Sequence, residues 1–394
     1  MDVQLLGTGG PDGWPRPGCR CASCAGGRAA GRSRSPALAV VDGALHFRAG
    51  QPPHYEPPCS APLGVTQPGA GPPPGVTQPE AGKPGAGPPA GQAAGHIVRP
   101  LPGGWDVTAP DGGRLLIAAE PGAVPEPPAA ARPYDVALLD VIASPWQLGA
   151  LRQRGLVQAR TIVAACYLDD AIAPEREIAR RCGLWGVTLP DDGDFLREPA
   201  RGPEPPARTL VLGGARSGKS AEAELRLAGQ PDVTYLATAA APDGRSDPDW
   251  AQRIAAHRAG RPPGWKTAEG ADAADVLRNS SGAVLLDGIG TWLAGIMDDC
   301  GAWDPAAGEA GGRAGGSAGP AAAIDAAVDG LIAAWRQAPG RIVAVSDEVG
   351  SGVVPATRSG RLFRDRLGRL NQRLAAESEE VVLVVAGRIL TMAT

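Results

Sequence analysis

The sequence predicts an α/β protein of two domains, the second built on a mostly parallel sheet flanked by helices. Three observations predict it. After residue 208, short apolar runs alternate with stretches of helical periodicity, the pattern of strands returning through crossover helices. The first of those runs ends in a Gly-rich turn that opens a helix, Gly213 to Ser220. A Pro-rich segment, PARGPEPPA at 199–207, marks the boundary. The expected division is a first domain over 1–200, a linker over 201–207 and a second domain over 208–394.

Composition narrows the class. The 394 residues are 43% hydrophobic and 20% charged, enough for two buried cores. The net charge of −4 leaves no basic footprint for nucleic acid or a membrane surface. No apolar run reaches about 18 residues, so no transmembrane helix is expected. The start, MDVQLLGTGG, lacks the basic and apolar regions of a secretory signal, so a cytoplasmic protein is expected. The seven Cys are an odd number, and three cluster at 19–24, which argues against a secreted disulfide framework. There are only three Lys (Lys83, Lys219 and Lys266), so the position of each is informative.

Taken in order, VQLL at 3–6 reads as a strand running into the turn GTGG, and 36–47 as a hairpin. Residues 50–95 repeat GVTQP and GAGPP with almost no large apolar side chains, the composition of a disordered insertion. LLIAA (115–119), VALLDV (136–141) and TIVAAC (161–166) read as buried strands, and 145–153 and 174–182 as helices. Beyond the linker, strands are expected at 209–214, 233–238, 283–288, 341–350 and 380–387. Helices are expected at 218–229, 248–260, 321–337 and 360–377, with a Gly/Ala surface loop at 304–320.

The turn Gly213-Gly214-Ala215-Arg216-Ser217-Gly218-Lys219-Ser220 fits G-x-x-x-x-G-K-[ST] between a strand and a helix, the context such a phosphate loop requires. Its glycines let backbone amides turn toward phosphate oxygens, and the helix N-terminus adds its positive end. Lys219 is expected at the β- and γ-phosphates, and Ser220 on Mg²⁺. Asp287, closing the apolar strand AVLLD, is expected to hold Mg²⁺ through water, and Glu348, after RIVAVSD, is a second candidate acid. His257 is the one His of the second half and lies on an Arg-rich predicted helix.

Six strings together resemble the bifunctional adenosylcobinamide kinase / adenosylcobinamide-phosphate guanylyltransferases. They are LVLGGARSGKSAEAE, YLATA, RIAAHRAGRPPGWKTAE, VLLDGIGTWL, EVGSGVVPATRSGRLFRDRLGRLNQRLA and EEVVLVVAG, and they cover about 209–390. The resemblance implies a two-step enzyme of cobalamin biosynthesis. GTP or ATP phosphorylates adenosylcobinamide. His257 then attacks the α-phosphate of GTP, and the guanylyl group passes to adenosylcobinamide phosphate. A neutral imidazole suits this role, being nucleophilic near neutral pH and forming a labile P–N bond. The resemblance further implies that Ala237, Thr238, Ala239, Arg258, Ala259, Gly260, Arg261 and Glu269 line the nucleotide site, and that the domain forms a homo-oligomer. Two other readings of the same residues are a small-molecule kinase without guanylyl transfer and a nucleotide-binding regulatory module.

The segment LLGTGGPDGWPRPGCRCASC resembles the opening of a metallo-β-lactamase-fold phosphodiesterase. That superfamily's catalytic centre needs an H-x-H-x-D-H cluster. The chain's four His (46, 54, 96 and 257) are never spaced by one residue, so a degenerate domain without hydrolase activity is expected. VAACYLDD at 163–170 reads as a strand-end remnant whose Tyr167 and Asp170 do not make a metal pair. The resemblance implies a structural Zn²⁺ on Cys19, Cys21 and Cys24, with His46, His54, Cys59 and Asp169 as candidates for the fourth ligand.

Overall fold

The computed structural model describes residues 1–56, 95–172, 174–200, 202, 204–238, 262, 264–270, 272–304 and 319–392. Of the insertion expected at 50–95, residues 57–94 lie outside them, as do the predicted helix at 248–260 and most of the loop at 304–320; contrary to that expectation, 50–56 are ordered and His54–Tyr55 form a strand because they pair with Leu45 and His46. The chain forms two compact units. The first comprises Met1–Ser144, Leu156–Cys182 and Gly186–Arg201; the second comprises Pro145–Gly155, Gly183–Trp185 and Gly202–Thr394.

N-terminal to the linker the described elements are β1 (Val3–Gly7), α1 (Ala22–Ala29), β2 (Leu38–Val41), β3 (Leu45–Arg48), β4 (His54–Tyr55), β5 (Ile97–Leu101), β6 (Gly104–Thr108), β7 (Arg114–Ala118), β8 (Val136–Leu139), α2 (Trp146–Gln153), β9 (Ile162–Ala165) and α3 (Glu175–Trp185). β1 to β4 form an antiparallel sheet in sequence order, and β5 to β9 a second sheet, antiparallel through β7 and parallel from β7 to β9. β8 and β9 are buried at every position, which explains their unbroken apolar sequence. The expected hairpin at 36–47 is the β2–β3 pair. The two sheets share one core, with Val3, Leu5, Val41 and Phe47 of the first meeting Leu115, Ile117, Leu138 and Ala164 of the second. Within it, Arg114 pairs with Asp106 at 2.7 Å and stacks on Tyr134 at 4.2 Å, so the buried guanidinium is matched in charge and shape.

From the linker onward come β10 (Arg208–Gly213), α4 (Lys219–Leu227), β11 (Val233–Ala237), β12 (Lys266–Glu269), α5 (Ala273–Asn279), β13 (Ala283–Asp287), α6 (Ile289–Asp299), α7 (Pro320–Gln337), β14 (Ile342–Asp347), α8 (Arg358–Ala376), β15 (Glu380–Val385) and β16 (Arg388–Met392). The sheet order is β12-β11-β13-β14-β10-β15-β16, and only the β15–β16 hairpin is antiparallel. Side chains alternate between the two faces, as strand geometry dictates. Leu210, Leu212, Leu286 and Ala344 join residues of α5 to α8 in one cluster; Val211, Leu285, Val343 and Val382 join Ala223 and Leu227 of α4 in another. A parallel sheet covered on both faces is the architecture that the alternating runs predict.

Two short segments before the linker cluster with this second unit, so contacts divide the chain differently from a cut at residue 208. Arg152 of α2 donates to the carbonyls of Gly229 at 2.8 Å and Trp185 at 2.7 Å. The Trp185 indole donates to Leu225 O at 2.8 Å. Gly149 sits where a Cβ would come 2.5 Å from Gln230 O.

Buried Asp140 gives the first unit a pH signature. Burial pushes its carboxyl above the ordinary value, against the pull of the Ala143 and Gly122 amides at 3.0 and 2.8 Å. The folded state therefore holds this proton more tightly than the unfolded chain. The cost of ionising Asp140 begins as pH rises past the ordinary carboxylate value and is complete above the folded one. Asp140→Asn is expected to flatten the fall in first-unit stability that begins as pH rises past the ordinary carboxylate value of about 4, read by chemical denaturation at a series of pH values.

Candidate functional site

Parallel pairing brings the carboxyl ends of six strands to one edge. Gly213 pairs with Asp347, and Ala237 pairs with both Asp287 and Glu269. Ligands of open parallel sheets bind at this edge. The phosphate loop leaves it from β10, the strand between β14 and β15. Gly213 is required there, because a Cβ would lie 2.4 Å from Ser217 Oγ and 2.8 Å from Val384 O. Gly218, at φ 98°, turns the chain into α4 in a conformation that only glycine adopts freely. The Gly387 amide ties the loop down by donating to Ser217 O at 2.8 Å. The first amides of α4 have no intrahelical carbonyl to bond, so they are free donors for an anion.

Lys219 opens α4 and lies across the mouth of the loop. Its Nζ donates to Gly214 O at 3.2 Å and pairs with Asp347 Oδ1 at 3.0 Å. Ser220, next along, donates to Asp287 Oδ1 at 3.3 Å, and the Tyr235 hydroxyl donates to Asp287 Oδ2. The Asp287 carboxylate is thus oriented from both sides, with Ser220 Oγ beside it: two hard oxygen donors suited to a divalent cation. Gly288 follows at φ 106°, where a Cβ would come 2.3 Å from Thr291 Oγ1. Thr238 Oγ1 bonds Gly288 O at 2.6 Å and Thr291 Oγ1 at 2.7 Å, so its hydroxyl braces the β13–α6 turn. Ala237 is half-buried and Glu269 exposed, each ending its strand at this edge. His257, Ala239, Arg258, Ala259, Gly260 and Arg261 lie outside the described residues.

The sequence reading named Glu348 in VSDEVG, and the structure sets its neighbour Asp347 against Lys219. β14 ends at Asp347, which is the carboxylate that reaches Lys219. Glu348 instead accepts from the Gly350 amide at 2.7 Å and closes its own turn. The backbone of Asp347 is held from α8, since Asn371 donates to Asp347 O at 3.1 Å and receives the Ser346 hydroxyl at 2.6 Å. Both acids end an apolar run, and only the register against β10 separates them.

A second cluster lies in the first unit. Cys21 caps α1, its Sγ accepting from the Cys24 amide at 3.4 Å. Asp170 Oδ2 accepts from Cys21 Sγ at 3.4 Å and Cys19 Sγ at 3.7 Å. The donor atoms of Cys19, Cys21, Cys24 and Asp170 all lie within 4.8 Å of one another. The Cys21 amide and thiol hold Cys19 below its ordinary value. Cys21 is lowered by the Cys24 amide but raised, on balance to about 11, by Cys19, Cys24, Asp170 and partial desolvation. Asp170 was not among the candidates for a fourth ligand, and it is the carboxylate that the structure sets beside the thiols. Asp169 accepts from the Ala171 amide at 2.8 Å, His46 and His54 group with Glu56, and Cys59 lies outside the described residues. Asp170 lies five residues beyond the end of β9, and no spacing rule links it to the thiols.

Asp347→Ala is expected to lower triphosphate-dependent turnover at least tenfold, about 1.4 kcal/mol in the barrier. Glu348→Ala is expected to stay within about twofold. Steady-state kinetics on both variants separates the two acids.

Residues 209–392 match the profile of the family described as cobinamide kinase / cobinamide phosphate guanyltransferase. Over 188 residues the chain is 41% identical to the bifunctional adenosylcobalamin biosynthesis protein CobU of Salmonella typhimurium, covering 45% of this chain and 95% of that protein. It is 39% identical to the bifunctional adenosylcobalamin biosynthesis protein CobP of Pseudomonas aeruginosa, covering 46% of this chain and 94% of that one. Among solved structures, the P4 protein from bacteriophage phi6 in complex with ADP aligns with 48% of this chain and 55% of its own at 14% identity. Its TM-score of 0.23 is too low to bear on the fold. Because nearly the full length of these curated relatives is matched at about 40% identity, the chain belongs to the cobinamide kinase / cobinamide phosphate guanyltransferase family.

Proposed function

We propose that the chain phosphorylates adenosylcobinamide and then converts the phosphate to adenosylcobinamide-GDP in two transfers on one domain. The observation that carries the first transfer is the Lys219–Asp347 and Ser220–Asp287 pairing at the mouth of the phosphate loop. In that transfer the aminopropanol hydroxyl oxygen attacks the γ-phosphorus of GTP or ATP. The γ-phosphorus–oxygen bond to the β-phosphate breaks and the nucleoside diphosphate leaves. The loop amides and Lys219 position the β- and γ-phosphates and offset the charge that builds on their oxygens. Asp347, beside Lys219, is placed to orient the incoming hydroxyl. Ser220 and Asp287 would hold Mg²⁺, whose chemistry is to neutralise phosphate charge.

In the second transfer a nitrogen of His257 attacks the α-phosphorus of GTP and pyrophosphate leaves, giving a phosphoramidate. A phosphate oxygen of adenosylcobinamide phosphate then attacks that phosphorus, the P–N bond breaks, and the imidazole is restored. What supports this role is the family membership and the match of RIAAHRAGRPPGWKTAE around His257. Ala237, Thr238, Ala239, Arg258, Ala259, Gly260, Arg261 and Glu269 complete the nucleotide site in this reading, with the two Arg stabilising phosphate charge. The catalytic domain runs over 208–394, works in the cytoplasm and assembles as a homo-oligomer. No helix among the described residues is long and apolar enough to cross a membrane.

For the N-terminal domain we propose a degenerate metallo-β-lactamase-like module with a structural or interaction role, supported by its two sheets packed on one core. Cys19, Cys21, Cys24 and Asp170 fit a tetrahedral Zn²⁺ site of three thiolates and one carboxylate. A cation there would take up the deprotonated thiolates directly, releasing their protons on binding.

Incubation with GTP labelled on the α-phosphate is expected to leave acid-labile, base-stable label on the protein. His257→Ala removes that label and keeps triphosphate-dependent phosphorylation of adenosylcobinamide; Lys219→Ala lowers the phosphorylation at least 100-fold. A wild-type chain that binds GTP without becoming labelled would leave only the kinase. Metal analysis of the purified chain is expected to find Zn²⁺, with Asp170→Ala weakening it about 10- to 100-fold in a chelator competition.

A further inference from the structure

Among the described residues, the phosphate loop and the thiol cluster leave one group of side chains that could ligate a metal unused. His46 on β3 and His54 on β4 are directly opposed partners in the antiparallel ladder, so both project from the same face. Glu56 lies two residues beyond His54, which returns it to that face, and its amide is held by Ala44 O at 2.8 Å. The two imidazole rings stack with centroids 5.2 Å apart and 29° between planes. Their Nε2 atoms converge on one carboxylate, His54 on Glu56 Oε1 at 3.1 Å and His46 on Glu56 Oε2 at 3.7 Å. One donor atom from each of the three lies within 4.8 Å of the others.

These spacings suit a shared ion better than a hydrogen-bonded cluster. Zinc–nitrogen bonds of about 2.0–2.1 Å put neighbouring tetrahedral donors roughly 3.3 Å apart, between the two observed contacts. At 3.7 Å the His46–Glu56 contact is too long for a hydrogen bond. His46 Nδ1 is buried with no hydrogen-bond partner among the described residues, so no partner commits the ring to a tautomer. With the proton on Nδ1, the Nε2 lone pair faces Glu56 and His54. Toward solvent the cluster is open: the side chains of His54 and Glu56 are 38% and 61% exposed. A bound ion would keep an outward position for water, unlike a closed structural site.

We propose that His46, His54 and Glu56 form a divalent-metal site on the β3–β4 edge, separate from the thiol cluster and selective for borderline transition ions such as Zn²⁺ or Ni²⁺. Two imidazoles and a carboxylate match those ions, whereas Mg²⁺ and Ca²⁺ prefer all-oxygen sets.

The test uses the full-length chain carrying Cys19→Ser and Cys21→Ser, two accessible changes that disable the thiol cluster. Titration with Zn²⁺ alone is expected to show one remaining site per chain. Adding His54→Ala is expected to weaken it at least tenfold, and adding Glu56→Gln likewise, with unchanged circular dichroism in both. Both side chains are exposed, so their loss does not threaten the core as loss of His46 does. Loading with Co²⁺ is expected to give ligand-field bands without a thiolate charge-transfer band. Failure of the Cys-substituted chain to take up Zn²⁺, or unchanged affinity in folded His54→Ala, would overturn the site. Neither result bears on the activity of the second unit.

Discussion

The pairing of β10 between β14 and β15 is the constraint on which the phosphate site depends. It sets the height at which the loop leaves the sheet and places Gly213 level with Asp347. A slip of one residue would send every β10 side chain to the opposite face and carry Asp347 away from Lys219. The register is strongly specified because both faces are covered. Leu210 and Leu212 pack toward α5 to α8, and Val211 packs toward α4. The burial that stabilises the sheet is therefore the same burial that aligns the site.

Within that frame the loop is shaped by what it excludes. Gly213 and Gly288 sit where a Cβ would strike a hydroxyl oxygen, and Gly218 and Gly288 adopt backbone angles that other residues strain to reach. The side chains left to do chemistry are few and each is held by a partner. Asp287 is gripped by Tyr235 and Ser220, and Asp347 by Lys219 through its carboxylate and Asn371 through its carbonyl. Such bracing reduces the entropy a ligand must remove on binding.

The first unit applies similar physics to a different end. Two sheets share one core, and two groups of side chains that could hold a metal lie at its margins. One set is soft, three thiols with a carboxylate on a helix cap; the other is two imidazoles with a carboxylate on a sheet edge.

Much of the second unit was legible in the sequence because its signals are local. Apolar runs bounded by turns marked β10, β11, β13, β14 and β15, and a glycine-lysine spacing marked the loop with Lys219 and Ser220 in place. Elements without such signals were missed. β5 carries a Pro tolerable on an edge strand, α1 holds two glycines, and β16 is stabilised by pairing with β15 more than by its own pattern. Local pattern and motif spacing by themselves determined the α/β class and the phosphate loop, and six strings of sequence carried the resemblance to the family. Tertiary structure decided which of two adjacent acids meets Lys219, which carboxylate joins the thiols, and that His46 and His54 face each other. The physical reason is range: a hydrophobic period or a motif is written within a few residues, whereas strand register and the meeting of distant side chains are set by packing across the whole core.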